Sequence, residues 1–327
     1  MDRLSAKATP EGTLSYTYDA AGNLPSMTSS NAHGTSVDYS YDDLNRLSTV
    51  VDSRLPASQT TAYTYDPASN LATVRYPNGL QSTFSYDQLN RVSTQVSPVS
   101  GYAYQYGPAG NRMSSTELNG RTTNWNYDGI YRLTNESISL DPANKNGSVA
   151  YGLDPVGNRL SASSNLSGVA NSFSTYDADD RLMSESYDPN GNTTSSGGKS
   201  FAYDSENHLV SMNGGTATII YDGDGNRVAK TVNGVTTRYV ADDLNPTGYP
   251  QVVEEIAGGA VIRQYTYGLQ RISEDQIVNS AWTPSFYGYD AGGTVRQLTN
   301  LAGAVTDTYE YDAWGSKVAS TGTTPNN

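Results

Sequence analysis

The chain has 327 residues, a formal net charge of −13 and no cysteine, which excludes a disulfide scaffold, a Cys-ligated zinc site and thiol chemistry. Fewer than one residue in five is Leu, Ile, Val or Phe, a level that with this charge borders on disorder, yet there are 26 tyrosines, and disordered chains are poor in aromatic rings. A conventional aliphatic enzyme core, a membrane span and a basic nucleic-acid surface are all excluded, leaving a folded architecture built on tyrosine.

In chain order, the first twenty residues hold no apolar stretch of the kind a signal peptide needs. A repeat then begins. YDAAGNL starts at Tyr18, YDDLNRL at Tyr41, YDPASNL at Tyr65 and YDQLNRV at Tyr86. Variants follow at Tyr106, Tyr127, Tyr151 (read with inserted residues), Tyr176, Tyr187, Tyr203 and Tyr221, and late copies at Tyr289 and Tyr311. From Tyr18 to Tyr176 the anchors lie 20 to 25 residues apart, room for two strands and two turns but not for a βαβ unit.

Each copy reads as a β-hairpin. Aromatic residues precede the turn two apart, which sets both on one face of a strand: Tyr16 and Tyr18, Tyr39 and Tyr41, Tyr63 and Tyr65, Phe84 and Tyr86. The same spacing recurs at Trp125 and Tyr127, Tyr265 and Tyr267, Tyr287 and Tyr289, Tyr309 and Tyr311. The aspartate after the anchor (Asp19, Asp42, Asp87, Asp222, Asp290, Asp312) can cap the turn by accepting backbone N–H groups. Four residues after the anchor stands Gly22, Asn45, Asn90, Gly110, Gly191, Asn207, Gly225, Gly293 or Gly315, types that enter positive φ cheaply. An apolar residue such as Leu24, Leu47 or Val92 opens the return strand. Ser26–Ser36 and Asp141–Gly147 read as turns at the opposite edge, and Gly258-Gly259 as the tip of a variant hairpin.

The expectation is an all-β chain, a repetitive antiparallel hairpin ribbon forming a partial shell or tube. It reads as a single domain over 1–327, with a repeat array over 1–240 and variant hairpins over 241–327. Roughly 28 strands at about 4.8 Å would make a ribbon about 130 Å long, closing once into a ring about 40 Å across.

The Y-D-x-x-G-N-R-L unit resembles the YD repeat of the rearrangement-hotspot (Rhs) family, which includes polymorphic toxins, insecticidal toxin-complex shells and teneurins. The resemblance runs from Leu14 to Val318, and the segment from Tyr287 is similar to the family's conserved stretch near the shell end. It implies a ribbon spiralling into a hollow cocoon around a C-terminal toxin. The family's terminal block, with its aspartate self-cleavage motif, is expected beyond Asn327. Asp2-Arg3-Leu4 matches the return half of a repeat, so the chain reads as a piece of a longer array.

No catalytic, cofactor or metal residue is assigned. His33 and His208 fall in turns; Asp222–Asn226 superficially matches a calcium loop but has Arg227 and Asn233 where Gly and Glu are needed; Gly198-Lys199-Ser200 leads into a strand instead of a helix. The repeat arginines Arg46, Arg91, Arg132, Arg159 and Arg181 are expected to pair with turn carboxylates or stack on neighbouring Tyr rings. The expected role is a secreted or cell-surface structural element without enzymatic activity. Its partners would be the rest of the same polypeptide or a C-terminal cargo, and other copies meeting it through terminal strands. The alternative is a carbohydrate-binding or adhesive module, since exposed Tyr, Asn and Asp on a sheet suit sugars.

Overall fold

The computed structural model describes residues 3–54 and 59–325. Asp2 of the opening half-repeat lies outside the described residues. Among the described residues the regular elements are strands and one 3-10 turn, Asn213–Gly215; the strands pair antiparallel in chain order, with alternating burial such as that of Ser36–Tyr41. Sixteen strands, Ala6–Thr9 to Ser172–Phe173, form one sheet, and fourteen, Ser186–Tyr187 to Lys317–Thr321, form a second.

The single ribbon expected from the repeat is therefore interrupted. Between the sheets the strands shrink to two residues, and only an isolated Tyr176↔Leu182 bridge remains. The local sequence explains it: Asp177, Asp179 and Asp180 crowd the turn, and Ser184, Glu185 and Ser186 follow it, all poor strand formers. Two smaller corrections concern the turns. Ser26–Ser29 is a strand, so the opposite-edge turn begins only after it. At the seventh copy the anchor is Leu153, not Tyr151. The bulge lies between Gly152 and Leu153, Asp154 caps the turn and Gly157 has φ 107°, so nothing is inserted.

The chain divides into two compact units, 1–63 with 185–286, and 64–184 with 287–327. In each, side chains from strands of the first sheet meet strands of the second through hydrogen bonds. In unit 1, Tyr16 donates its hydroxyl to Asp242 Oδ1 (2.8 Å), and the Thr35 N–H donates to Glu254 Oε1 (2.7 Å). In unit 2, Gln95 Nε2 donates to the Tyr289 carbonyl (2.8 Å), and the Ala313 N–H donates to Glu136 Oε2 (2.6 Å). Unit 2 also has an apolar cluster of Ile138, Val149, Tyr151, Ala162, Leu166 and Val318.

Candidate functional site

The repeated chemistry is concentrated in the row of turns. At Tyr41, the Asp42 N–H donates to the Arg46 carbonyl and the Asn45 N–H donates back to the Asp42 carbonyl, both at 2.9 Å. Asp42 Oδ1 accepts the N–H groups of Leu44 and Arg46, and Oδ2 accepts Arg46 Nε at 2.7 Å. The extra residue is absorbed as a bulge between Ser40 and Tyr41. The same backbone bonds close the turns of Asp19 with Gly22, Asp87 with Asn90, Asp222 with Gly225, Asp290 with Gly293 and Asp312 with Gly315. In the turn before Gly110, Gly107 takes the aspartate's place.

Positive φ follows the turn rather than the residue type. It is found at Gly22 (99°), Asn45 (57°), Asn90 (57°), Gly110 (91°), Gly191 (86°), Asn207 (65°), Gly225 (79°), Gly293 (81°) and Gly315 (82°). Ser69 (67°), Tyr131 (63°) and Asp180 (59°) hold the same place without being Gly or Asn. A Cβ on Gly110 would meet only Arg91 Nη1, at an ordinary contact distance of 3.9 Å, so Gly110→Val mainly reports the backbone strain. Its expected cost is about 1–2 kcal/mol, read by thermal or urea unfolding, with Gly110→Asn costing less.

The paired aromatics divide the work. The first ring of a pair sinks between the layers: Tyr16, Tyr39, Tyr63, Tyr265 and Tyr287 are buried, and Tyr102 and Tyr104 join them. Trp125 and Tyr309 are half-buried, as are the second-position rings Tyr65, Tyr289 and Tyr311, while the second-position Tyr267 is buried with its partner Tyr265. The anchor Tyr locks its hairpin to the preceding one. Its hydroxyl donates to the carbonyl near the start of the previous return strand: Tyr18 to Leu4 (2.9 Å), Tyr41 to Leu24 (3.1 Å), Tyr86 to Leu71 (2.9 Å) and Tyr106 to Val92 (2.7 Å). Tyr127 to Arg112 (2.8 Å), Tyr176 to Arg159 (3.3 Å), Tyr221 to Leu209 (3.1 Å) and Tyr267 to Val252 (3.1 Å) repeat it.

Two kinds of turn alternate from Asn23 to Asn192, whereas Thr294 and Ser316 take this place in the late copies. In one, Asn follows the positive-φ residue and its amide reaches the next turn: Asn23 to Asn45 (3.0 Å), Asn70 to Asn90 (3.0 Å), Asn158 to Asp180 (2.7 Å) and Asn192 to Asn207 (2.8 Å). In the other, Arg follows it and binds its own turn aspartate, as Arg91 does Asp87 (2.6 Å), Arg132 does Asp128 (2.7 Å) and Arg181 does Asp177 (2.8 Å). Arg91 also lies 4.4 Å from the ring centre of Tyr106, one turn on, and Arg159 lies 4.6 Å from that of Trp314.

The ionisable groups fall into two opposite sets. Side-chain bonds from Asn23, Arg46 and Arg91 hold the carboxyls of Asp19, Asp42 and Asp87 below the usual range. Between the layers, burial pushes Asp275 up to about 6, with Asp52 adding to the push and Arg54 opposing it. Burial likewise pushes Glu136 up to about 7. The lowered turn aspartates stabilise the fold above the unfolded carboxylate pKa of about 4 and lose that contribution as pH falls through their folded values. The raised Asp275 and Glu136 contribute fully below about 4 and lose it as pH rises through about 6 and 7. Melting temperature should therefore peak between about pH 4 and 6. A continuous rise to pH 8 in a melting series would contradict these assignments.

Sequence reasoning missed the buried acids. Asp52, Asp242, Glu254, Glu274 and Asp275 are all buried. The available signal was the run Ser273-Glu274-Asp275-Gln276 between aliphatic residues, in a strand covered on both faces. Among the described residues no group of three or more His, Asp or Glu could hold a metal ion. Among the described residues no helix is long and apolar enough to cross a membrane. Unit 1 has a cleft of about 880 Å³ lined by Trp282, His33, Arg238 and Asn31, and unit 2 a cavity of about 340 Å³ lined by Trp125, Tyr127, Arg112 and Glu136.

A teneurin YD-shell family model matches residues 4–106. The chain is 34% identical over 299 residues to the "tRNA3(Ser)-specific nuclease WapA" of Bacillus spizizenii, covering 85% of this chain and 12% of that protein. It is 34% identical over 297 residues to the "tRNA nuclease WapA" of Bacillus subtilis, with the same coverage. The chain thus spans only about an eighth of these relatives. Among solved structures it is similar to the TcdB2-TccC3-Cdc42 crystal structure, with a TM-score of 0.75 at 15% identity over 95% of this chain and 18% of that one. The TcdB2-TccC3 crystal structure gives 0.70 at 16% over 95% and 19%. Repeat, fold and relatives agree on the Rhs/YD-repeat family, and residues 4–106 match its YD-shell model.

Proposed function

We propose that this chain is a non-enzymatic wall segment of an exported YD-repeat shell, enclosing or presenting a C-terminal toxin or other cargo carried on the same polypeptide. The eight Tyr hydroxyl bonds that tie hairpin to hairpin carry this reading. They commit the repeated side chains to joining neighbouring hairpins into sheet. The turn aspartates and arginines are likewise spent on capping their own loops. In this reading residues 1–327 act as one repeat module, with 1–240 as the array and 241–327 as variant hairpins. The nuclease named in the relatives is a cargo joined to such a wall, and terminal strands pair with further repeats or other copies. Incubating the purified chain with tRNA tests the non-enzymatic part: the RNA should stay intact, and cleavage that copurifies with the chain would overturn it.

Glycan recognition is the second reading, favoured by the unit 1 cleft, where Trp282 offers a ring and Arg238 and Asn31 offer hydrogen bonds. Binding on a glycan array that Trp282→Ala abolishes would support it; no binding would remove it.

A further inference from the structure

We propose that His208 is a proton-operated latch between two consecutive hairpins of unit 1, those of Tyr203 and Tyr221. His208 occupies the place that Arg46, Arg91, Arg132 and Arg181 hold in the other turns of its kind. Those four guanidiniums lie 2.6–2.8 Å from their turn aspartates. A guanidinium keeps its charge at any pH the protein meets, whereas an imidazole is charged only after taking up a proton.

The surroundings are those of the arginine turns. Asp204 Oδ1 accepts the N–H groups of Glu206 and His208, both at 2.9 Å, and these bonds, that of His208 first, hold its carboxyl below the usual range. His208 Nδ1 faces two carboxylates of its own turn, Asp204 at 3.3 Å and Glu206 at 3.6 Å, and makes no well-formed hydrogen bond. From the next hairpin, the Tyr221 ring stacks on the imidazole, with centroids 4.6 Å apart and planes at 21°. Nε2 points at Gly225 of that hairpin's turn. Arg91 lies over Tyr106 in the same relation.

The neutral ring has no positive charge to offer Asp204 and Glu206. The protonated ring gains an ion pair with its own turn and a cation–π contact with the next. The bond from the Tyr221 hydroxyl to the Leu209 carbonyl lies one residue away, so the proton reinforces that lock. Acid therefore fastens the two hairpins, and mild alkali leaves the Tyr221–Leu209 bond to hold them with the stacked rings alone.

Hydrogen exchange of the whole chain at pH 5.5 and 8.0, corrected for intrinsic rates, tests this. The Arg46 turn of the same unit is the internal reference. Peptides spanning 203–221 should be about threefold better protected at pH 5.5 than at 8.0 relative to that reference, the size of a partly exposed ion pair. His208→Arg should be protected at both pH values and His208→Gln at neither. A wild-type ratio that does not change with pH, or a change that survives in His208→Gln, would overturn the latch.

Discussion

Replacing Arg54 by alanine should destabilise unit 1 by about 3–5 kcal/mol at pH 7–8, the cost of leaving buried carboxylates without their cation. Arg54 is nearly buried between the layers. Its Nε donates to Asp52 Oδ1 at 2.6 Å, and its Nη2 contacts Asp52 Oδ2, Thr266 Oγ1 (2.9 Å) and Asp275 Oδ2 (3.2 Å). Thr266 in turn donates to Asp52 at 2.8 Å. Removing the guanidinium leaves two buried acids facing each other. The deficit should shrink in acid, because Asp275, already pushed up to about 6, loses the cation that opposes the shift and takes up a proton more readily. Urea unfolding of Arg54→Ala at pH 5 and pH 8 checks this, with the larger loss expected at pH 8. An equal loss at both would mean the carboxylates are not what the arginine serves.

Tyr151→Ala should cost about 3–5 kcal/mol, by analogy with other buried aromatic truncations, whereas Tyr151→Phe should cost close to nothing. The ring is 5% exposed within the apolar cluster of unit 2 and lies 5.7 Å from the Trp314 ring, but its hydroxyl has no hydrogen-bond partner among the described residues. Tyr127 gives the contrast. Its hydroxyl donates to the Arg112 carbonyl at 2.8 Å, so Tyr127→Phe should cost about 1 kcal/mol. Thermal unfolding of the three variants separates ring burial from the hydroxyl lock. Equal costs for both Phe variants would show that the lock adds no stability.

The hairpins were legible because a local rule repeats. Tyr-Asp followed by Gly or Asn specifies a strand end, a cap and a positive-φ residue within five positions, and no distant contact is needed to read it. Leu153 was misread for the same reason: an anchor without its aromatic ring keeps the turn geometry and loses the sequence signal. Tyr131 at φ 63° is the converse, a bulky residue held there by the bonds of Asp128 and Arg132. The interior was not legible. Glu254 meets Asn31 and Thr35 more than two hundred residues away, and only that pairing makes its burial tolerable. The alternation of Asn and Arg turns was present in the sequence, but its meaning depends on which turns are neighbours in space.

Electron microscopy of the natural polypeptide that carries this segment tests the wall reading most directly. The account predicts that these residues form two antiparallel sheets of consecutive hairpins, with anchor tyrosines such as Tyr41, Tyr86 and Tyr127 against the previous return strand, and cargo density on the enclosed side. Cargo density lying free of the sheet, or these hairpins folded apart from any shell, would contradict it.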